Sequence, residues 1–252
     1  MAKQRGIIKL DGTMADITFY RTKHGYMAKE RLRVAPGRML TDPRFARTRE
    51  NMAEFGRACN AAKVLKNAMG TLLTSFGGKS LQNRLTQEMM KVIHLDMVNP
   101  RGLRNVIDGE AELLEGFDFN STSPLETSFK APLSLTLDRV AGEANVTINP
   151  FDGTEVIISD PAATHFKLVS AALDINFESK VTASAFSETA IMKIESQPTA
   201  LINLENALPA ASVNPLFLLF GISFYQSVNG FHYPLLNGAF NALRIVKVSG
   251  TP

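Results

Sequence analysis

Between Asp42 and Asn99 the apolar residues recur in steps of three and four, and this spacing limits the possible folds more than any other feature. Phe45, Met52, Phe55, Cys59, Ala62, Leu65, Met69, Leu72 and Phe76 fall on one face of a first helix. Leu81, Leu85, Met89, Val92 and Ile93 fall on one face of a second. Gly77-Gly78 separates the two, so the pattern predicts an amphipathic helical hairpin. Thr41 or Asp42 caps the first helix, with Pro43 placed where a missing N–H costs nothing. Ser80 caps the second, and Asn99-Pro100 stops it. Gly56 and Gly70 each cost about 1 kcal/mol relative to Ala inside a helix. Gly56 suits a close backbone approach and Gly70 a kink.

The residues before the hairpin predict a small β meander. Ile7, Ile8 and Leu10 form a short apolar run, Asp11-Gly12 a turn, and Asp16 to Tyr20 a β-branched and aromatic strand. His24-Gly25 makes the next turn, with Gly25 at positive φ, and Tyr26 to Arg33 runs back before Pro36-Gly37 breaks the pattern. Three short strands cannot bury enough surface alone. They must lie on the helices, join a later sheet, or add to a sheet of another subunit.

Beyond Phe117 the period changes to two. Leu133, Leu135 and Leu137 alternate with polar residues, followed by Val146 and Ile148, Val156 to Ile158, and Phe166 to Phe177. Ile191 and Ile194, Leu201 to Leu204, Leu216 to Tyr225 and Leu243 to Val248 continue the series. Asp152-Gly153, Asn229-Gly230 and Asn237-Gly238 are turn signals. Eight or nine short strands predict an antiparallel sandwich or a related two-sheet fold. Arg101 to Phe119 is a short helix or an extended connector ending at Gly116. The expected class is therefore α+β: an N-terminal β meander and helical hairpin over residues 1–115, then an antiparallel β-sandwich-like domain over 116–252.

Several stretches resemble a family as a set. Gly6-Ile7-Ile8-Lys9-Leu10 with Gly12-Thr13 and Asp16 to Tyr20 is one, and Arg47 to Asn51 with Glu54 to Ala58 is another. Arg101 to Phe117, Val228 to Gly230, Tyr233 to Leu235 and Asn237 to Ala242 complete the set. Together they resemble a family of bacterial proteins of similar length without an assigned activity. Met14-Ala15 and Met52-Ala53 stand where that pattern has smaller or glycine-containing pairs. The resemblance implies no catalytic or binding residues.

The residues themselves supply no catalytic constellation. His24, His94, His165 and His232 lack metal-ligand spacing, and none pairs with the single cysteine, Cys59, which reads as a buried inert thiol. Glu110, Glu112, Glu115 and Asp118 are sequence neighbours, a poor arrangement for paired-carboxylate hydrolysis, and there is no tryptophan to serve as a sugar platform. Gly77 to Ser80 ends like a phosphate loop but lacks its leading glycine and preceding strand. No metal, cofactor or enzymatic activity is expected. One cysteine rules out an intramolecular disulfide. Met1 to Arg5 is followed too soon by Lys9 for a secretory signal, so synthesis is expected in the cytoplasm, with release by lysis or signal-independent export compatible. The most apolar run, Leu216 to Tyr225, is about half the roughly 20 residues a membrane-spanning helix needs.

Charge is distributed unevenly. Up to Ile107 there are 20 Lys and Arg against 8 Asp and Glu; beyond it there are 7 against 16. The expected basic surface is Arg44, Arg47, Arg49, Arg57, Lys63, Lys66, Lys79, Arg84 and Lys91, facing a polyanion or an acidic partner. The expected acidic counter-surface is Asp108, Glu110, Glu112 and Glu115. These features together predict a self-assembling structural subunit that forms a filament, tube or shell by head-to-tail contact. Ile7, Ile8, Leu10, Ile17, Phe19 and Tyr20 are the candidate assembly residues, by strand donation from Gly6 to Tyr20. A nucleic-acid-binding or phage-like particle component is the alternative. A carbohydrate- or surface-binding module using Tyr225, Phe231 and Tyr233 is a further one.

Overall fold

A computed structural model describes residues 2–30, 37–78 and 80–251. Residues 31–33 of the expected Tyr26 to Arg33 strand, Pro36 and Lys79 lie outside the described residues. The chain is α+β and divides into two units, Met1–Arg49 and Glu50–Pro252.

The first unit holds β1 (Ala2–Lys3), β2 (Gly12–Met14), β3 (Ile17–Thr22) and β4 (Gly25–Glu30), antiparallel in the order β1-β4-β3-β2. Next come α1 (Arg38–Thr41), a 3-10 turn over Pro43–Phe45, and the first residues of α2 (Ala46–Ala68). Asp42 caps the 3-10 turn by accepting the Arg44 N–H, so the helix signal at Asp42-Pro43 is used one turn early. Gly25 has φ +109, as its turn requires. The tight turn between β2 and β3 is Ala15-Asp16, with Ala15 at φ +51, rather than Asp11-Gly12.

Ile7, Ile8 and Leu10 are not a strand, contrary to the sequence expectation. The backbone leaves β1 after Lys3 and bends through Gly6 to Ile8. The Gln4 side-chain amide closes the neck of this loop. Its Oε1 accepts the Leu10 N–H at 2.9 Å, and its Nε2 donates to the Leu10 carbonyl at 3.2 Å and the Met27 carbonyl at 3.0 Å. A side chain thus supplies the pairing that a strand ladder would have supplied.

In the second unit, α2 is followed by α3 (Leu72–Phe76), α4 (Leu81–His94), a 3-10 turn over Ala111–Leu114 and α5 (Leu125–Ser128). Then come β5 (Leu133–Asp138), β6 (Glu143–Ile148), α6 (Gly153–Val156), β7 (His165–Ile175), β8 (Thr182–Glu188), β9 (Met192–Lys193) and β10 (Ile202–Leu204). The chain closes with β11 (Leu216–Val228), β12 (Phe231–Pro234), a 3-10 turn over Leu235–Gly238 and β13 (Ala242–Ser249). Val156 to Ile158 is the expected strand only in part: Asp152 caps α6 by accepting the Thr154 N–H, so the polar turn starts a helix that takes in Val156, while Ile157 makes an isolated antiparallel bridge to Phe129. Asn237-Gly238 closes a 3-10 turn rather than a hairpin.

The main sheet runs β12-β11-β7-β8, with β13 also paired to β11 and β9 to β7. A smaller sheet has the order β10-β6-β5. Strand alternation sends Val169, Ala171, Leu173, Phe217 and Leu219 into one core with Leu65, Met69, Leu85, Met89 and Ile93 of the helices. Phe166, Leu168, Leu218, Phe220 and Ile222 point the other way, into a second core with Val146 and Ile148 of the smaller sheet. The main sheet is therefore buried on both faces, which is why Leu216 to Phe224 reads as an apolar run whose only polar residue is Ser223. Each large side chain buried there contributes about 1.5–3 kcal/mol. The expected boundary at 115/116 runs through the helix-facing core, which extends from Ala58 to Val248.

The helices α2 and α4 form the predicted antiparallel pair, with Glu54 near His94 and Lys66 near Gln82. The buried stripe of α2 differs from the expected one. Glu54, Ala58, Ala61, Ala62, Val64, Leu65 and Ala68 face inward, while Met52 and Phe55 are exposed. Small residues let α2 lie close to its neighbours, and Glu54 is held inward by accepting the Gly102 N–H at 2.8 Å. Cys59 is half-buried. Gly70, at φ +53, ends α2 rather than kinking it. A Cβ at Gly56 would meet nothing, so no backbone approaches there among the described residues. Ser80 takes the left-handed conformation at φ 59 and makes no side-chain cap.

Residues 111–119 combine both expected forms. The 3-10 turn ends at Leu114, and the chain then runs extended beside β13. The Gly116 N–H donates to the Ile245 carbonyl at 2.8 Å, and that of Phe119 to the Leu243 carbonyl at 2.9 Å.

Candidate functional site

Among the described residues, the N-terminal loop presents the most exposed apolar side chains of the first unit. Ile7 is 103% and Ile8 81% exposed at the tip of the loop closed by Gln4. Lys9 Nζ folds back onto the Gln4 carbonyl at 2.9 Å and the Gly6 carbonyl, bracing the tip. Leu10 and Ile17 are exposed, whereas Phe19 and Tyr20 are half-buried; the Lys29 ammonium lies 5.4 Å from the Tyr20 ring centroid. Strand alternation places Ile17 and Phe19 on one face of β3 and Tyr20 on the other. The assembly candidates therefore split between a loop tip and two sheet faces.

Several of the basic candidates are bonded within the chain. The Arg49 guanidinium donates to the Met39 and Asp42 carbonyls at 2.9 and 3.0 Å. Arg57 donates to the Gly102 carbonyl at 2.6 Å and the Arg104 carbonyl at 3.2 Å, fastening the 101–104 loop to α2. Arg84 reaches the Asp118 and Phe119 carbonyls and sits 4.9 Å over the Phe117 ring. Lys66 bonds Gln82 and Lys91 bonds Glu88. Arg44, Arg47 and Lys63 are exposed.

The acidic candidates are similarly engaged within the chain. Glu112 accepts the Gly250 N–H at 2.7 Å and Glu115 the Val248 N–H at 3.3 Å, anchoring the end of β13. Asp108 accepts from the Asn99 and Asn105 side chains at 2.8 and 2.7 Å. Glu110 is exposed. Sequence reading passed over the centre of this cluster, fully buried Asp96. Its carboxylate accepts the N–H groups of Val98, Asn99 and Asn105 at 2.8, 2.9 and 3.0 Å. Burial pushes its pKa up, but the bonds from Asn99, Asn105 and Val98 outweigh that and hold it below the usual carboxylate range. The spacing Asp96 to Asn99 was the available signal, an Asx turn after a helix.

The sugar-platform candidates occupy the β11–β12 hairpin. Phe231 and Tyr233 are exposed, and Tyr225 is half-buried opposite Pro234. His232 meets His165 with ring centroids 4.5 Å apart. Beneath the hairpin, Lys167 bonds Glu188 at 2.8 Å. Burial works to lower the Lys167 pKa, but Glu188 and Tyr225 reverse this and raise it, so the amine stays charged. A charged amine bound to a carboxylate is not a nucleophile.

The apolar concavity with the clearest binding chemistry lies between the two sheets at their open edge. β5 is the outer strand of its sheet, and Leu133 and Leu135 on it face Val246 of β13 across a cleft of about 490 Å³ floored by Leu125 and Phe129. Glu115, Glu126 and Arg244 stand at its rim. Arg244 is committed to Asp118 and Glu126, which raise its already high pKa. The remaining rim character is acidic.

Among the described residues, no three His, Cys, Asp or Glu side chains come together to hold a metal ion, and no helix is long and apolar enough to cross a membrane. No protein-family model matches the chain, and no curated protein matches it. Among solved structures, the human F-spondin reeler domain aligns at 11% identity over 48% of this chain and 91% of that one. Its TM-score of 0.19 carries no argument about fold or function.

Proposed function

We propose that this chain is a structural subunit that associates with copies of itself head to tail through its N-terminal unit, building a filament, tube or shell. One observation carries the reading. None of the described residues in 2–30 and 37–49 is buried, although they include Ile7, Ile8, Met14, Ile17 and Leu40. A four-stranded sheet without a buried side chain lacks the apolar burial that makes such sheets stable. Covering it with another subunit supplies that burial. A contact between unlike surfaces does not close on itself, so it propagates.

The polyanion alternative draws less support, because Arg49, Arg57 and Arg84 are bonded to carbonyl oxygens within the chain. Sedimentation of the full chain over a wide concentration range, with electron microscopy of the same samples, tests the proposal. Concentration-dependent polymers are expected. A monomer at every concentration in low salt overturns it.

A further inference from the structure

We infer that the Ile7-Ile8 loop tip of one copy inserts into the cleft between β5 and β13 of a second copy. The inference rests on the self-assembly reading and names the contact that would produce it. The tip is a preformed knob: Gln4 closes its neck with two hydrogen bonds to Leu10, and Lys9 braces it, so little ordering is left for the moment of binding. Its two isoleucines have no cover. The socket is apolar where the knob is apolar, with Leu133, Leu135 and Val246 each half-buried against the core beneath. At about 490 Å³ it falls inside the roughly 300–1,000 Å³ range of pockets that enclose small ligands.

Charge selects a second copy of this chain as the occupant. Residues 2–10 contain Lys3, Arg5 and Lys9 and no acidic residue. The socket rim holds Glu115 and Glu126, both exposed; Arg244, the cation lining it among the described residues, pairs with both Glu126 and Asp118, so three carboxylates stand against one guanidinium. A basic collar around an apolar tip thus meets an acidic rim around an apolar floor, which favours this pairing and opposes knob-to-knob contact. Insertion differs from strand donation because the loop keeps its shape and needs no ladder with β5.

The double variant Ile7→Asp/Ile8→Asp tests this in the full chain, at two exposed positions that no core packing depends on; a thermal melt verifies the fold. Self-association is expected to weaken about a hundredfold. Independently, Ile8→Cys combined with Leu135→Cys in a Cys59→Ser background is expected to form disulfides between differently tagged copies. Unchanged polymers in the Asp variant, or disulfides formed only within single chains, overturn the knob-and-socket contact and leave self-assembly standing. A parent protein that is monomeric throughout removes both.

Discussion

Arg244 and Asp118, 126 residues apart, meet in a two-point ion pair: Nε lies 3.0 Å from Oδ1 and Nη2 lies 2.7 Å from Oδ2. Both side chains are 15% exposed. Asp118 Oδ1 also accepts the Leu125 N–H at 3.0 Å, and Arg244 reaches Glu126 as well. The pair therefore clamps β13 to the extended 116–119 segment and to the start of α5. Removing one member leaves a mostly buried charge, so Arg244→Ala is expected to cost about 3 kcal/mol. Urea unfolding measures it as a lower midpoint at an unchanged slope.

The loop after α4 depends on Asp96. Asp96→Ala leaves three N–H groups without their acceptor and is expected to cost about 3 kcal/mol, with Asp96→Asn costing less because one acceptor oxygen remains. Because the folded carboxyl is depressed, its contribution is present above the unfolded pKa near about 3.9 and is lost as pH falls through the lower folded value. A difference in acid unfolding between parent and Asp96→Asn checks the sign.

Burial, and then the nearby His232 and Lys193, holds the His165 pKa below its ordinary value. The unfolded chain therefore binds this proton at higher pH than the folded one. Stability is expected to drop as pH falls through about 6.5 and to level off once the folded imidazole is protonated. Imidazole NMR titration reads the site directly. His232→Gln is expected to move the His165 midpoint upward, without full recovery because burial remains.

Gly221 sits in the middle of β11, where a strand normally rejects glycine. A Cβ there would lie 2.6 Å from the Ala242 carbonyl oxygen and 2.8 Å from Leu243 Cδ1. Gly221→Ala is expected to cost about 1–3 kcal/mol by forcing β11 and β13 apart. Slower-exchanging amides along that strand pair in the parent than in the variant would check the location.

Local spacing by itself determined the elements whose cause is local. The two long helices, the alternating strands, Gly25 at positive φ and the Asn229-Gly230 turn could all be read from residue order. Side-chain period and backbone sterics act within a few residues, so no partner is needed to recognise them. Tertiary structure alone decided which face of α2 is buried: its alanines enter the core shared with α4 and the main sheet and Glu54 accepts the Gly102 N–H, while Met52 and Phe55 face outward. It also decided that Ile7 and Ile8 form a loop tip, since the Gln4 amide, not a strand ladder, satisfies the Leu10 backbone. The charged candidates were legible in the sequence, but the partner of each was not. Whether an arginine meets water, a carboxylate or a carbonyl oxygen depends on contacts far apart in the chain, as Arg57 with Gly102 and Arg244 with Asp118 make plain.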